Sequence, residues 1–221
     1  ENGPLTVAGI HQPNRIAAAA WGPVVTEQWG QPDRLVDFFD VKRDLETLLG
    51  QRAAQVRFEP EAHPALHPGR SASVKLDGKT IGWIGEIHPQ WLSEFGLNQA
   101  PVVFEVDVDA ISHDDVVHVQ EVSKQPVVQR DLAVWLDKDV SYQAVLDTLN
   151  QVRSTAAQAA IVKDIQLFDV WRDKNDASEK SLAIRFWLQD SASTLDDERV
   201  EQCLEVLLAA LVSAHGARAR A

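Results

Sequence analysis

The pattern of apolar and polar positions divides the chain into short strands and amphipathic helices. Leu5 to Ile10 (LTVAGI) reads as a strand entering a Gln12-Pro13-Asn14 turn. Ala17 to Trp21 fits strand or helix. Gly22 to Arg34 contains two prolines and two glycines and reads as loop. With Asp40 as N-cap, Val41, Leu45, Leu48 and Leu49 form one face of a helix that ends at Gly50. Val56 to Phe58 is a short strand, and HPALHPGR (63–70) a proline-marked loop. Ser73–Leu76 and Thr80–Ile87 flank Asp77-Gly78, a strong hairpin signal. Pro89 to Phe95 is a short helix closed by Gly96, and Pro101 to Val108 another strand. Together these predict an antiparallel sheet with helices on one side, an α+β unit over residues 1–111.

Residues 112–123 (SHDDVVHVQEVS) carry no strong period and read as a linker. A second unit, 124–221, follows. Asp131–Leu136 is a strand, and Ser141 caps a helix through Val152. Ile161–Trp171 and Lys180–Gln189 are strands around a polar loop, Asp173–Glu179. Thr194 is read as the cap of a helix to about His215, with Asp197 completing a capping-box variant. Gly216 ends that helix, and Ala217–Ala221 can form a last strand. The order βαββαβ is the ferredoxin-like signature.

Alternation then assigns the faces of that sheet. Leu182, Ile184, Phe186 and Leu188 form an apolar row, as do Leu132, Val134 and Leu136; these belong beneath the helices. In this fold the first strand lies between the third and fourth. The open face would then gather Trp135, Arg185, Trp187, Arg218 and Arg220. Indoles stack on splayed bases, and guanidinium groups bind phosphate or stack as planes, so the mix suits single-stranded RNA. The alternative is that both tryptophans pack against another domain. The strand 161–171 stays ambiguous, because Ile165, Leu167 and Phe168 break clean alternation.

Composition narrows the class. The chain has 221 residues, 45% apolar and 24% charged, as in an ordinary globular protein. No apolar run approaches the roughly 18 residues of a membrane span, and no signal-peptide order stands at the start. The one cysteine, Cys203, permits no internal disulfide and fits a cytoplasmic protein. There is no methionine, so Glu1 is read as the start of a processed or excised chain. The formal charge is −12, unlike a free-standing nucleic-acid binder. It divides into −9 for residues 1–123 and −3 for 124–221, so contact with phosphate has to be local and falls to the second half.

Candidate chemistry is sparse. His63 and His67 have the i, i+4 spacing of a metal pair. A proline follows each, and no Cys or third His is near, which favours backbone capping. Cys203 lies in an apolar helix and suits core packing. Asp196, Asp197 and Glu198 suit a helix N-terminus. No Walker A, GxSxG or HExxH string occurs. No metal or other cofactor is assigned to the chain.

Eight strings carry a resemblance. RDLAVWL (130–136), LFDVWR (167–172), KSLAIRFWLQD (180–190) and TLDDERV (194–200) are similar to the anticodon-binding domain of bacterial phenylalanyl-tRNA synthetase β subunits. VDFFDVKRDLETLL (36–49), HPALHPGRSA (63–72), GKTIGWIGEIHP (78–89) and VVFEVDV (102–108) resemble the module just upstream in that subunit. Each string alone says little; eight in family order are specific. Arg15–Asp33 departs from the pattern.

The resemblance implies a C-terminal fragment. Residues 1–111 would be part of a degenerate, non-catalytic class II synthetase-like module, and 124–221 a ferredoxin-fold anticodon-binding domain. The family's enzyme is an (αβ)2 heterotetramer that attaches phenylalanine to tRNA(Phe) using ATP and magnesium, with catalysis in the α subunit. The expected partners are the anticodon arm of tRNA(Phe) and the α subunit. A working class II site also needs phosphate-clamping arginines, one after a glycine-rich strand. Arg70 is the one candidate, and no basic residue follows Gly82 and Gly85. The competing function is a ferredoxin-like protein-interaction module without RNA.

Overall fold

The computed structural model describes residues 9–10, 12–112, 123–173 and 178–220. The chain divides into two compact units, Glu1–His118 and Val119–Ala221. Most of the expected Leu5–Ile10 strand, most of the 112–123 linker and the centre of the 173–179 loop lie outside the described residues.

In the first unit, the alanine-rich segment that fits either element is a strand, β1 (Arg15–Ala20). Helix α1 (Phe38–Leu49) follows, then β2 (Val56–Pro60), β3 (Leu66–Leu76) and β4 (Lys79–Ile87). Helix α2 (Pro89–Phe95), β5 (Val102–Asp107) and the single turn α3 (Val108–Ile111) complete it. The strands form one antiparallel sheet in the order β1-β5-β4-β3-β2. Val41, Leu45 and Leu49 of α1 are buried in one cluster with Val74, Ile84, Phe104 and Val106 of the sheet.

The cap of α1 is Asp37, not Asp40. Asp37 is extended, and its carboxylate accepts from the backbone N–H of Phe39 and Asp40. Asp40 is the third helical residue, and its carboxylate accepts from the Asp37 N–H, closing a capping box. Phe38 and Phe39, which the apolar spacing of α1 does not include, occupy the first turn. The predicted 63–70 loop is also corrected: β3 begins at Leu66. Its pairing with β4 is irregular between Leu66 and Ser71, which accommodates Pro68 inside a strand. At the β3–β4 turn Asp77 and Gly78 both have positive φ, 51° and 76°, which the tight primed turn requires.

The second unit contains β6 (Val128–Asp137), α4 (Tyr142–Thr155), β7 (Val162–Arg172), β8 (Glu179–Leu188), α5 (Asp197–His215) and β9 (Arg218–Ala219). Its sheet has the order β7-β8-β6-β9, so β6 lies between β8 and β9. This is the βαββαβ arrangement expected. The α5 cap is Asp196, which accepts from the Arg199 N–H; Thr194 instead donates to the Gln125 side chain.

Val200, Cys203, Leu207 and Leu211, at spacings of three and four, form the buried stripe of α5. With Val145 and Leu149 of α4 they bury Val134, Leu136, Leu182, Ile184, Phe186 and Leu188. Each such large aliphatic or aromatic side chain contributes about 1.5–3 kcal/mol when fully buried. Burial pushes the Cys203 thiol up to about 11, which makes it a packing residue and a poor nucleophile. Both helices therefore cover one face of the sheet, and no described helix of this unit covers the other.

Candidate nucleic-acid interface

The uncovered face is built by alternation on β6 and β8 and by register across the sheet. Trp135 lies opposite Ser181 on β8, and Ser181 lies opposite Trp171 on β7. Ser181 is small and buried, so the indoles on either side meet over it edge to face, with ring centroids 5.3 Å apart. The Arg220 guanidinium sits in the corner between them, 5.5 Å from each ring centroid. Its backbone N–H donates to the Ala133 carbonyl, which pins it to β6. Cation–π contacts of this kind contribute about 0.5–1 kcal/mol each at exposed sites.

Further along, Arg185 lies opposite Asp131 and Gln166. It donates two hydrogen bonds of 2.8 Å to the Asp131 carboxylate, one from Nε and one from an Nη. Those hydrogen bonds hold the Asp131 carboxyl below the usual carboxylate range and raise Arg185. The same guanidinium lies 4.6 Å over the Phe168 ring. Trp187 follows on β8, half-buried, between Gln129 and Asp164 in the register. Arg218, opposite Trp135, donates to the Glu179 carboxylate at 2.6 Å.

All five expected residues thus lie on one face, and two more aromatics, Phe168 and Trp171, join them. The alternation of β7 hid both. Its pairing with β8 shifts register between Val162 and Asp164 and again between Leu167 and Asp169. The second irregularity lets Leu167 pack on the core while Phe168 reaches the guanidinium on the open face. The break in alternation at Leu167-Phe168 was the available signal.

The first unit offers less chemistry. An apolar depression of about 460 Å³ is lined by Ala17, Ala19, Leu66, Trp83 and Val103 among others. Arg70 is paired with Glu86 at 2.8 Å. The Nδ1 atoms of His63 and His67 accept from the backbone N–H of Ala65 and Gly69, and His88 does the same for Gln90. All three His-Pro pairs are backbone caps. A Cβ at Gly82 would lie 2.0 Å from the Glu105 carbonyl oxygen, and one at Gly85 would lie 2.8 Å from that of Arg70. These glycines serve close strand packing. Such a donor set does not fit an ATP–magnesium site.

No helix of the described residues is long and apolar enough to cross a membrane. Two family models match the chain. The phenylalanyl tRNA synthetase beta chain CLM domain matches residues 5–108, and the ferredoxin-fold anticodon binding domain residues 123–220. Among curated relatives, the phenylalanine–tRNA ligase beta subunit of Bordetella pertussis is 52% identical over 100% of this chain and 28% of its own length. The subunits of the same name from Burkholderia pseudomallei and Cupriavidus pinatubonensis are 47% and 46% identical, over 99% and 100% of this chain and 27% of their own length. The chain therefore belongs to the phenylalanyl-tRNA synthetase β-chain family, of whose members it spans little more than a quarter.

Proposed function

We propose that this chain is the C-terminal, tRNA-binding and structural part of the β subunit of a cytoplasmic phenylalanine–tRNA ligase, whose α subunit carries out ATP-dependent attachment of phenylalanine. The observation that carries this reading is the open face of the second sheet. It presents three indoles, a phenyl ring and three guanidinium groups on the side that no described helix of the unit covers. Stacking rings and planar cations bind unpaired bases and phosphates, the chemistry of an anticodon loop. We assign Trp135, Arg185, Trp187, Arg218 and Arg220 to that contact, joined by Phe168 and Trp171.

The first unit we read as part of a non-catalytic, class II synthetase-like scaffold, residues 1–111, that supports the α subunit. The pairing of Arg70 with Glu86 and the packing role of Gly82 and Gly85 support this. Filter binding of the chain to tRNA(Phe) at two salt concentrations tests the main proposal. Binding that weakens as salt rises is expected. No binding at low salt would favour a protein-interaction module instead. The scaffold reading predicts no aminoacylation by the chain alone; charging of tRNA by it would contradict that reading.

A further inference from the structure

The three arginines of the open face are not electrostatically equivalent. Arg185 is held by two parallel hydrogen bonds to Asp131. Arg218 is held by Glu179. Arg220 has no carboxylate partner among the described residues; its neighbours are the faces of Trp135 and Trp171 and, at 3.4 Å, the Ser181 hydroxyl. The side chain is exposed, its backbone is pinned to β6, and the two indoles limit where its guanidinium can swing.

We infer that Arg220 is the phosphate-binding cation of this face, whereas Arg185, with its fork already filled by Asp131, acts as a planar stacking surface backed by Phe168. The reasoning is electrostatic and geometric. A cation whose charge is matched by a carboxylate must give up that partner before it can neutralise a phosphate. A cation set between two rings, with only a 3.4 Å hydroxyl contact besides, has no carboxylate to give up. The Asp131 pair also fixes the plane of the Arg185 guanidinium. Its central carbon lies 4.6 Å from the Phe168 ring centroid, so ring and guanidinium form one contact surface for a base. Between the two clusters the register places Ala133 opposite Ala183 and Ala183 opposite Asp169, so the floor there is two methyl groups bordered on the β7 side by a carboxylate residue. The ligand class that fits is single-stranded RNA, with one phosphate at Arg220 and a neighbouring base over the alanine floor.

This inference rests on the tRNA-binding proposal, and the salt dependence of tRNA(Phe) binding by the full chain separates the two. In a plot of log affinity against log salt concentration, each phosphate neutralised contributes a slope of about 0.7–0.9. Arg220→Gln is expected to lower the parent slope by about that amount. Arg185→Gln is expected to weaken binding with the slope unchanged. Asp131→Asn, which releases Arg185, is expected to steepen the slope by a similar increment, and circular dichroism of each variant checks that the sheet is intact. Equal slope losses for Arg185→Gln and Arg220→Gln, or a parent slope in Arg220→Gln, would overturn the division of roles while leaving tRNA binding in place. Failure of the parent to bind at low salt would overturn the tRNA proposal, and this inference with it.

Discussion

Phe186 and Trp187 are adjacent in the chain and lie on opposite faces of the second sheet. Phe186 is fully buried beneath α4 and α5, and Trp187 is half-buried on the uncovered side. Neighbouring residues of one strand should therefore fail in different ways. Phe186→Ala removes a ring from a closed core and should cost about 3–5 kcal/mol. Trp187→Ala should cost far less, because no core cluster includes it. Urea unfolding followed by circular dichroism compares them. Equal losses would mean that Trp187 is a core residue.

In the first sheet, Gly82 of β4 faces the Glu105 carbonyl of β5 too closely for any side chain. Gly82→Ala should force the strands apart and destabilise the chain by at least the roughly 1–3 kcal/mol typical of overpacking. Gly78→Ala at the hairpin meets no atom within 4 Å and strains only its left-handed turn. A thermal melt that leaves Gly82→Ala at the parent midpoint would contradict the close approach of β4 and β5.

The α1 capping box makes a pH prediction. Hydrogen bonds from Arg34 hold the Asp40 carboxyl down to about 2, below its ordinary 3.8, with help from the Asp37 N–H and against a desolvation cost. A carboxyl lowered on folding stabilises the fold above its unfolded value. That contribution is lost as pH falls from about 4 toward about 2. Asp40→Asn should lose less stability over that window than the parent, while Asp37→Ala should cost about 1 kcal/mol at neutral pH through loss of the cap. Parallel acid-unfolding curves for Asp40→Asn and the parent would show that the pairing contributes nothing.

Most of the architecture is legible in the sequence where one period rules. The apolar rows of β6 and β8 and the stripe of α5 follow from spacings of two and of three to four, and Asp77-Gly78 announces its turn. Legibility ends where a local choice depends on partners far along the chain. Asp37 and Asp40 are equally good caps on paper; the first turn reaches back to Phe38, and that selects Asp37. Asp196 displaces Thr194 because Thr194 is drawn to Gln125. Phe168 and Trp171 escape notice because β7 is irregular twice, and a two-residue period cannot be carried through a shift. The pairing of Arg185 with Asp131 joins residues 54 apart and depends on β6–β8 register, which no local pattern encodes.

The first unit's three His-Pro caps yield a further test. Each imidazole Nδ1 accepts from a backbone N–H two residues on. Asparagine can reproduce such an acceptor, whereas alanine cannot. His67→Asn should therefore melt close to the parent, and His67→Ala should melt lower, with no effect of added zinc on either. A zinc-dependent rise in the parent's melting midpoint would assign the histidines to metal.

If the uncovered face of the second sheet holds RNA, tRNA(Phe) binding by Trp187→Ala in the full chain will report it. Stacking of one base on one aromatic is worth roughly 1–3 kcal/mol. At about 1.4 kcal/mol per tenfold, the variant should bind about 5- to 150-fold more weakly than the parent. Its circular dichroism and melting should remain those of a folded chain, since the apolar row beneath the helices is untouched. A folded Trp187→Ala variant that binds tRNA(Phe) with the parent's affinity would mean that this face does not hold RNA.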